Sequence, residues 1–368
     1  MPKVLMVCTV PTEKSGIPIV AFNLMEALVK NTSSDELQLG YVSINQPQNF
    51  FLNKLKKWDI RNYVIPRKIS NPIRYIYRLA KVAKNYDVMH VHGNSATLVL
   101  EMLAAKLAGV KLRIAHSHNT TCTAKTIDKL ARPLFYYLCN GRMACGKEAG
   151  KWLFRNMDFQ VINNGIDSEK FRFNQDLRNR IRKDLNINNE IVIGHIGNFN
   201  YQKNHEYLLK IFTIFQKINP TSKLLLLGDG PLRNEIEKEV SSLDLTNNVI
   251  FAGSVNNPQD YMNVMDMIIM PSRFEGLPLT LIEEQANGLP VLVADTITED
   301  SNLTGDITFL SLNSTYVKWA QTAKEIIDTH KRTDSNSSRN IKLIRSAGYD
   351  INTVAQNLMS SYRTVENI

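Results

Sequence analysis

Glu275 and Glu283 stand eight residues apart in Pro271-Ser-Arg-Phe-Glu-Gly-Leu-Pro-Leu-Thr-Leu-Ile-Glu-Glu-Gln-Ala-Asn-Gly-Leu-Pro290. A carboxylate accepts hydrogen bonds from two neighbouring hydroxyls at once, which suits it to sugar recognition. Glu275 follows a short apolar run and adjoins Gly276, and Pro278 is expected to open a helix from its first turn. The backbone amides of Leu277, Leu279 and Thr280 would then face outward with partial positive charge suited to a diphosphate. On this reading the two carboxylates bracket a sugar nucleotide, Glu275 near the hexose and Glu283 near the ribose. Taken alone, two glutamates would more readily serve only to favour a helix N-terminus. The Pro-Ser-x-x-Glu-Gly-x-Pro and Gly-x-Pro surroundings favour the binding role.

Other residues could also do chemistry. His90 and His92, and His116 and His118, form two His-x-His pairs. Alternation puts both members of a pair on one face of a strand end, where hydrogen bonding is as natural as metal binding. No carboxylate or thiolate stands nearby at ligand spacing and no Asp-x-Asp motif occurs, so no metal is expected. His90 and His92 read as structural, and His195 as packing beside a strand end. Cys8, Cys122, Cys139 and Cys145 lack zinc-type or Cys-x-x-Cys spacing and read as reduced thiols. Lys203 alone would be a solvated surface lysine; its place after Gly197 promotes it. Gly228-Asp-Gly-Pro231 reads mainly as a tight strand-to-helix turn.

The elements that must hold these residues alternate. Val4–Thr9, Leu37–Ile44, Val88–His92 and Leu112–His116 read as strands, with helices over Ile19–Val29, Ile73–Lys84 and Ser95–Leu107. The pattern restarts with strands at Ile191–Ile196, Lys223–Leu227, Val249–Phe251, Met267–Met270 and Pro290–Ala294. Helices fit Asn204–Ile218, Pro231–Leu243, Pro258–Val264, Pro278–Asn287 and Ile351–Val365. The polar stretch Asn163–Asn189 reads as a linker with one short helix. With 368 residues, the chain predicts an α/β fold of two doubly wound, Rossmann-like domains. Tandem domains of this kind face a cleft at the carboxyl ends of their strands, where helix N-termini bind anions.

Charge is uneven. Residues 1–172 carry 25 Lys and Arg against 12 Asp and Glu, and the remainder 19 against 23. The basic half implies an anionic partner: a membrane surface, a lipid phosphate or a nucleic acid. The run Lys54–Lys84 mixes basic and aromatic residues densely enough to favour an anionic membrane surface over a merely solvated face. No interleaved nucleic-acid motif accompanies it, so no nucleic acid is expected. No apolar run reaches the roughly 18 residues of a membrane span, and the N-terminus lacks a signal-peptide pattern. A cytoplasmic protein, peripheral at the inner face of the membrane, is expected.

With these motifs the chain resembles the retaining glycosyltransferases of family 4, whose two-domain architecture is called GT-B, and among them bacterial capsular and exopolysaccharide enzymes. Beside the Glu-x7-Glu segment, the likeness rests on Gly194-His-Ile-Gly-Asn-Phe-Asn-Tyr-Gln-Lys-Asn204, Leu227-Gly-Asp-Gly-Pro231, Phe251-Ala-Gly253 and Asn164-Gly-Ile-Asp167. In the first half, His90-Val-His-Gly93 and Arg113-Ile-Ala-His-Ser-His-Asn-Thr120 match as well. It implies an acceptor domain over 1–170, a nucleotide-sugar domain over 171–345, and a helix within 346–368 crossing back to the first. Lys203 is implied to bind the donor diphosphate and stabilise the leaving charge, with Gly16 letting amides approach it. Glu275 is implied to contact the transferred sugar and Glu283 the ribose, with Gly276, Leu277 and Leu279 presenting backbone. Val255 falls where the base is held, and His118 beside the transferred sugar.

Asn198 stands where the family usually has Arg, so one cationic contact is missing. Either Lys203 and the helix dipoles suffice, or Arg273 or Lys14 substitutes, or activity is weak. The likeness implies transfer of a hexose or N-acetylhexosamine from a nucleotide sugar, UDP-linked by preference, to a glycan or lipid-linked glycan. It implies no metal and no other cofactor. A non-catalytic nucleotide-sugar-binding subunit and a sugar-nucleotide epimerase are the competing readings.

Overall fold

The computed structural model describes residues 1–13, 16–33, 35–66, 68 and 70–367. Lys14, named above for its charge, and Arg67, within the basic run Lys54–Lys84, lie outside the described residues. The chain forms two compact units, one of Met1–Gly165 with Gly348–Ile368 and one of Ile166–Ala347.

The first unit is built on seven parallel strands. They are β1 (Lys3–Cys8), β2 (Gln38–Ser43), β3 (Arg61–Val64), β4 (Val88–Gly93), β5 (Leu112–Ser117), β6 (Gly141–Ala144) and β7 (Gln160–Val161), in the order β3-β2-β1-β4-β5-β6-β7. Val4 to Cys8 are wholly buried, as expected of a central strand covered on both faces. Helix Ile351–Arg363 belongs to this unit, tied by Asn31 Nδ2 donating to Asn352 Oδ1 at 2.8 Å. Its Tyr362 is fully buried and shares a 2.7 Å hydrogen bond with His90 Nδ1.

The second unit has six parallel strands in the order β10-β9-β8-β11-β12-β13. These are β8 (Ile191–Ile196), β9 (Ser222–Leu227), β10 (Val249–Gly253), β11 (Met267–Met270), β12 (Val291–Ala294) and β13 (Ile307–Leu310). Its core joins Leu224 and Leu226 of β9 to Phe212 and Phe215 of helix His205–Ile218 and to Trp319. From Ile166 onward the expected linker is part of this unit. Phe171 and Phe173 are buried, and Arg178 of helix Gln175–Asp184 donates to the carbonyls of Asn263, Val264 and Met265. Arg178 also meets Asp266 at 2.5 Å, so one side of this polar helix is held by the unit while Asp176, Asn179, Arg180 and Lys183 face solvent.

In each sheet the strand order reverses beside the first strand, between β1 and β4 and between β8 and β11. Parallel strands put all loops after their carboxyl ends on one edge, and a crevice opens where the order reverses. The loops after β8 and β11 therefore meet across the crevice of the second unit. Among the described residues no helix is long and apolar enough to cross a membrane.

Candidate functional site

The loop after β8 is held backbone to backbone by the turn after β9. Gly197 N–H donates to Leu227 O at 2.9 Å, Phe199 N–H to Asp229 O at 3.0 Å, and Leu232 N–H to Phe199 O at 3.0 Å. Gly228 has φ +135°, and a Cβ there would lie 2.0 Å from Gly197 O; one on Gly230 would lie 2.6 Å from Phe199 O. The Gly228-Asp-Gly230 turn thus does more than reverse the chain, because its missing side chains admit the neighbouring loop. At the far end Asn204 adopts a left-handed φ of +59° and its Nδ2 donates to Pro271 O at 3.0 Å. That bond ties the β8 loop to the end of β11.

Between these anchors lies Lys203. Its backbone amide donates to Asn200 Oδ1 at 3.0 Å, and its side chain lies across Gly197, where a Cβ would come 2.8 Å from Lys203 Cε. Nζ reaches Oε1 of Glu275 at 2.7 Å, with the two side chains 13% and 8% exposed. Gln202 Nε2 donates to the other oxygen, Oε2, at 2.9 Å. Gly197, Gln202 and Asn204 are contributors that the motif reading left without a role; only their adjacency to Lys203 signals them. Asn198 is exposed on the same loop. Arg273, a candidate stand-in for the missing charge, bonds the Tyr201 carbonyl, stacks 4.1 Å from the Tyr201 ring and lies 3.9 Å from Glu206.

The helix after Glu275 runs Leu279–Ala286, and no side chain caps its start. Pro278 is expected inside the first turn but is the N-cap, with φ −72° and ψ 124°, so the helix begins one residue later. Gly276 is exposed, and Leu277 and Leu279 are half-buried. Glu283 is partly exposed yet crowded by protein, and this burial pushes its pKa up to about 7 against the pull of Lys170. Glu284, unnoticed in the sequence, is fully buried with no hydrogen-bond partner on either oxygen. Burial drives its pKa well above the carboxylate range, opposed by Lys203, so it is held neutral. His205 is pushed down to about 4 by burial and by Lys203. His195 is likewise lowered, and its Nδ1–H donates to Ile269 O at 2.9 Å. Lys203 and Glu275 are therefore a charged pair backed by neutral groups. Val255 lies half-buried just after β10, beyond Gly253 at φ +69°.

In the first unit, Gly16 caps helix Ile17–Asn31 with φ +58° and ψ −136°, a conformation open to glycine. A Cβ on Gly16 would meet nothing within 4 Å, so the backbone angle, rather than crowding, requires glycine. The two His-x-His pairs merge into one group. His92 and His116 are register partners on β4 and β5. His92 Nδ1 bonds His118 Nε2 at 2.8 Å and His90 Nε2 bonds His116 Nδ1 at 3.0 Å, while His116 and His118 stack at 4.2 Å. Burial holds His90 and His118 at about 3 and the other two well below their ordinary value, so all four are neutral imidazoles. His90, His92 and His116 could offer a metal ion nitrogens within 4.8 Å of one another. Each already uses one nitrogen inside the imidazole network.

The profile of the family described as "Glycosyl transferases group 1" matches residues 178–301. The chain is 36% identical over 270 residues to the putative glycosyltransferase EpsF of Bacillus subtilis, covering 69% of this chain and 70% of that one. It is 29% identical over 239 residues, 60% of each chain, to the Escherichia coli UDP-Gal:alpha-D-GlcNAc-diphosphoundecaprenol alpha-1,3-galactosyltransferase. The fold is similar to that of Anabaena Alr3699/HepE in complex with UDP, with a TM-score of 0.79 and 18% identity over 98% of this chain and all of that one.

Proposed function

The chain belongs to the group 1 glycosyltransferases, and on that premise we propose that it transfers a hexose or N-acetylhexosamine from UDP to a lipid-linked glycan, retaining the anomeric configuration and without a metal. The single observation behind this reading is the Lys203–Glu275 pair at the β8/β11 crevice, beside a helix start that no side chain caps. Lys203 supplies a pre-organised cation for the β-phosphate of the leaving group, and the amides of Leu277 and Leu279 add partial positive charge. Glu275 accepts hydrogen bonds from sugar hydroxyls once the donor diphosphate draws Lys203 to itself. The acceptor hydroxyl forms its bond to the anomeric carbon as the bond to the diphosphate oxygen breaks. Its proton passes to that departing oxygen, so no side-chain nucleophile is required. In this reading Glu283, with its raised pKa, serves the ribose hydroxyls and Val255 the base through its main chain. The lipid-linked acceptor is met at an anionic membrane surface, in keeping with the basic first half and with the acceptor named for the Escherichia coli relative.

Thermal shift against UDP, GDP and their sugars, followed by product analysis with a polyprenyl-diphosphate-linked sugar, tests this reading. Stabilisation by UDP and an α-linked product from an α-linked donor are expected. Absence of stabilisation by any nucleoside diphosphate overturns it. The exposed, uncharged Asn198 favours a second reading, in which the chain binds donor without transfer; UDP binding with no product under any acceptor establishes that one.

A further inference from the structure

Helix Lys125–Leu138 of the first unit buries an ion pair on its inner face and leaves an apolar stripe on its outer one. Its buried residues include Asp128 and Arg132, joined by a 2.9 Å hydrogen bond from Arg132 Nε to Asp128 Oδ2. Asp128 Oδ1 also accepts from Ala96 N–H at 2.7 Å, and Arg132 donates to the carbonyl of Leu153 at 2.9 Å. Phe135 and Leu138 are buried beside them, yet four large apolar residues face out: Ile127 is 62% exposed, Leu130 77%, Leu134 49% and Tyr137 78%. Their spacing of three, four and three puts them in one stripe along the helix. Scattered exposed apolar residues are ordinary on a protein surface, but a continuous stripe with the charges beneath it is not.

The surroundings are basic. Lys125 and Lys129 flank the stripe, exposed, while the one acidic side chain of this helix is the buried Asp128. Helix Val99–Leu107 packs beside it and exposes Lys106 and Leu107. Helix Pro72–Ala83 packs against that one and exposes Ile73, Tyr77, Arg74 and Lys81. We infer that this three-helix face is the surface by which the protein docks on an anionic lipid bilayer, its apolar stripe entering the headgroup boundary and its lysines meeting lipid phosphates. An amphipathic helix lying in a membrane interface has this make-up, apolar residues on one side with lysine and arginine at the border. A second copy of the chain fits less well, since it would bring like charges against like. The basic residues before this face, from Lys54 to Lys68, are not equivalent, because Lys54 is paired with Glu26 at 2.6 Å and Lys68 with Glu101 at 3.1 Å.

The placement also deepens the proposed function, on whose lipid-linked acceptor this clause rests. The loop entering helix Lys125–Leu138, through Asn119, Thr121 and Cys122, lines a cavity of about 420 Å³ with Asn94, Ser95 and Thr97 after β4. A glycan hanging from a lipid at the docked face would reach that polar cavity next to His118.

Co-sedimentation of the intact protein with vesicles of phosphatidylglycerol and phosphatidylcholine, and with phosphatidylcholine alone, tests the inference. The wild type is expected to bind the mixed vesicles and to leave them as salt is raised. Leu130→Glu with Tyr137→Glu is expected to lower that binding about tenfold or more with an unchanged Tm, because both side chains point outward. Lys56→Ala with Lys57→Ala is the comparison variant, expected to bind much as wild type. Wild type that ignores anionic vesicles overturns the inference, as does full binding by Leu130→Glu/Tyr137→Glu. So does a wild-type dimer, by light scattering, that this variant converts to monomer. UDP affinity measured on the same samples separates the two ideas: loss of vesicle binding with UDP binding intact concerns the docking face alone.

Discussion

Lys203 Nζ lies 2.7 Å from a carboxylate oxygen of Glu275, 72 residues away in sequence, and each nearly buried side chain is the counter-ion of the other. Removing one partner of such a pair leaves a charge with little water to solvate it, at a cost of about 3–5 kcal/mol. Lys203→Ala and Glu275→Ala should therefore each lower Tm and abolish transfer. Lys203→Met with Glu275→Leu should restore much of the stability and none of the activity. A double variant as unstable as either single one would show that the pair is not what holds these loops; a Lys203→Ala enzyme with wild-type turnover would remove Lys203 from the chemistry.

Gly197 tests the same lysine without touching its charge. A methyl group there would stand 2.8 Å from Lys203 Cε, the mobile end of a flexible side chain. Gly197→Ala should weaken UDP binding about tenfold with a small change in Tm. Gly228→Ala should unfold the region instead, since its Cβ would strike a backbone oxygen at 2.0 Å from a φ of +135°, and about 2–4 kcal/mol should be lost. Calorimetry with UDP and denaturant melts distinguish the two patterns.

Asn204 should show its two functions separately. Asn204→Gly keeps the left-handed φ of +59° and loses the bond to Pro271 O, costing about 1 kcal/mol. Asn204→Ala loses the bond and also strains the backbone, about 1 kcal/mol more. Equal destabilisation by the two substitutions, measured in urea, would mean that the left-handed turn carries no strain.

The titrating groups pull in opposite directions with pH. Glu283 has a folded pKa raised to about 7 from an ordinary 4.5, so its contribution to stability is present below pH 4.5 and is lost as pH rises to 7. Glu283→Gln should therefore gain on wild type steadily across that window. His90 and His118 have folded pKa values lowered to about 3, so their contribution is present above pH 6.5 and lost as pH falls below it. Hydrogen exchange, corrected for intrinsic rates, should show β4 and β5 opening more readily at pH 5 than at pH 7.5. Flat protection across that range would mean the imidazoles become charged without cost.

The buried central strands were legible because their composition is almost uniformly apolar. Ile191–Ile196 and Met267–Met270 are strands over the residues read for them, and Val88, Leu112 and Val249 begin theirs as expected. The short strands Arg61–Val64, Gly141–Ala144 and Gln160–Val161 carry too few apolar residues to announce themselves. Helix Lys125–Leu138 escaped notice for a different reason. Its buried face mixes Asp128 and Arg132 with Phe135 and Leu138 while its exposed face carries Ile127, Leu130, Leu134 and Tyr137, so apolar periodicity singles out neither face.

By itself the sequence determined the alternation of strand and helix, hence two parallel sheets, and it placed the Lys203 and Glu275 loops after strands. Those are consequences of local composition and period, which the chain carries wherever it goes. Only the tertiary structure decided that strand order reverses between β8 and β11, so that the two loops meet and their charges pair. It alone merged two separated His-x-His pairs into one neutral cluster, and left the stripe of Ile127, Leu130, Leu134 and Tyr137 on the outside of helix Lys125–Leu138. Charge pairing, burial and exposure depend on which distant segments come into contact, and no local pattern contains that information.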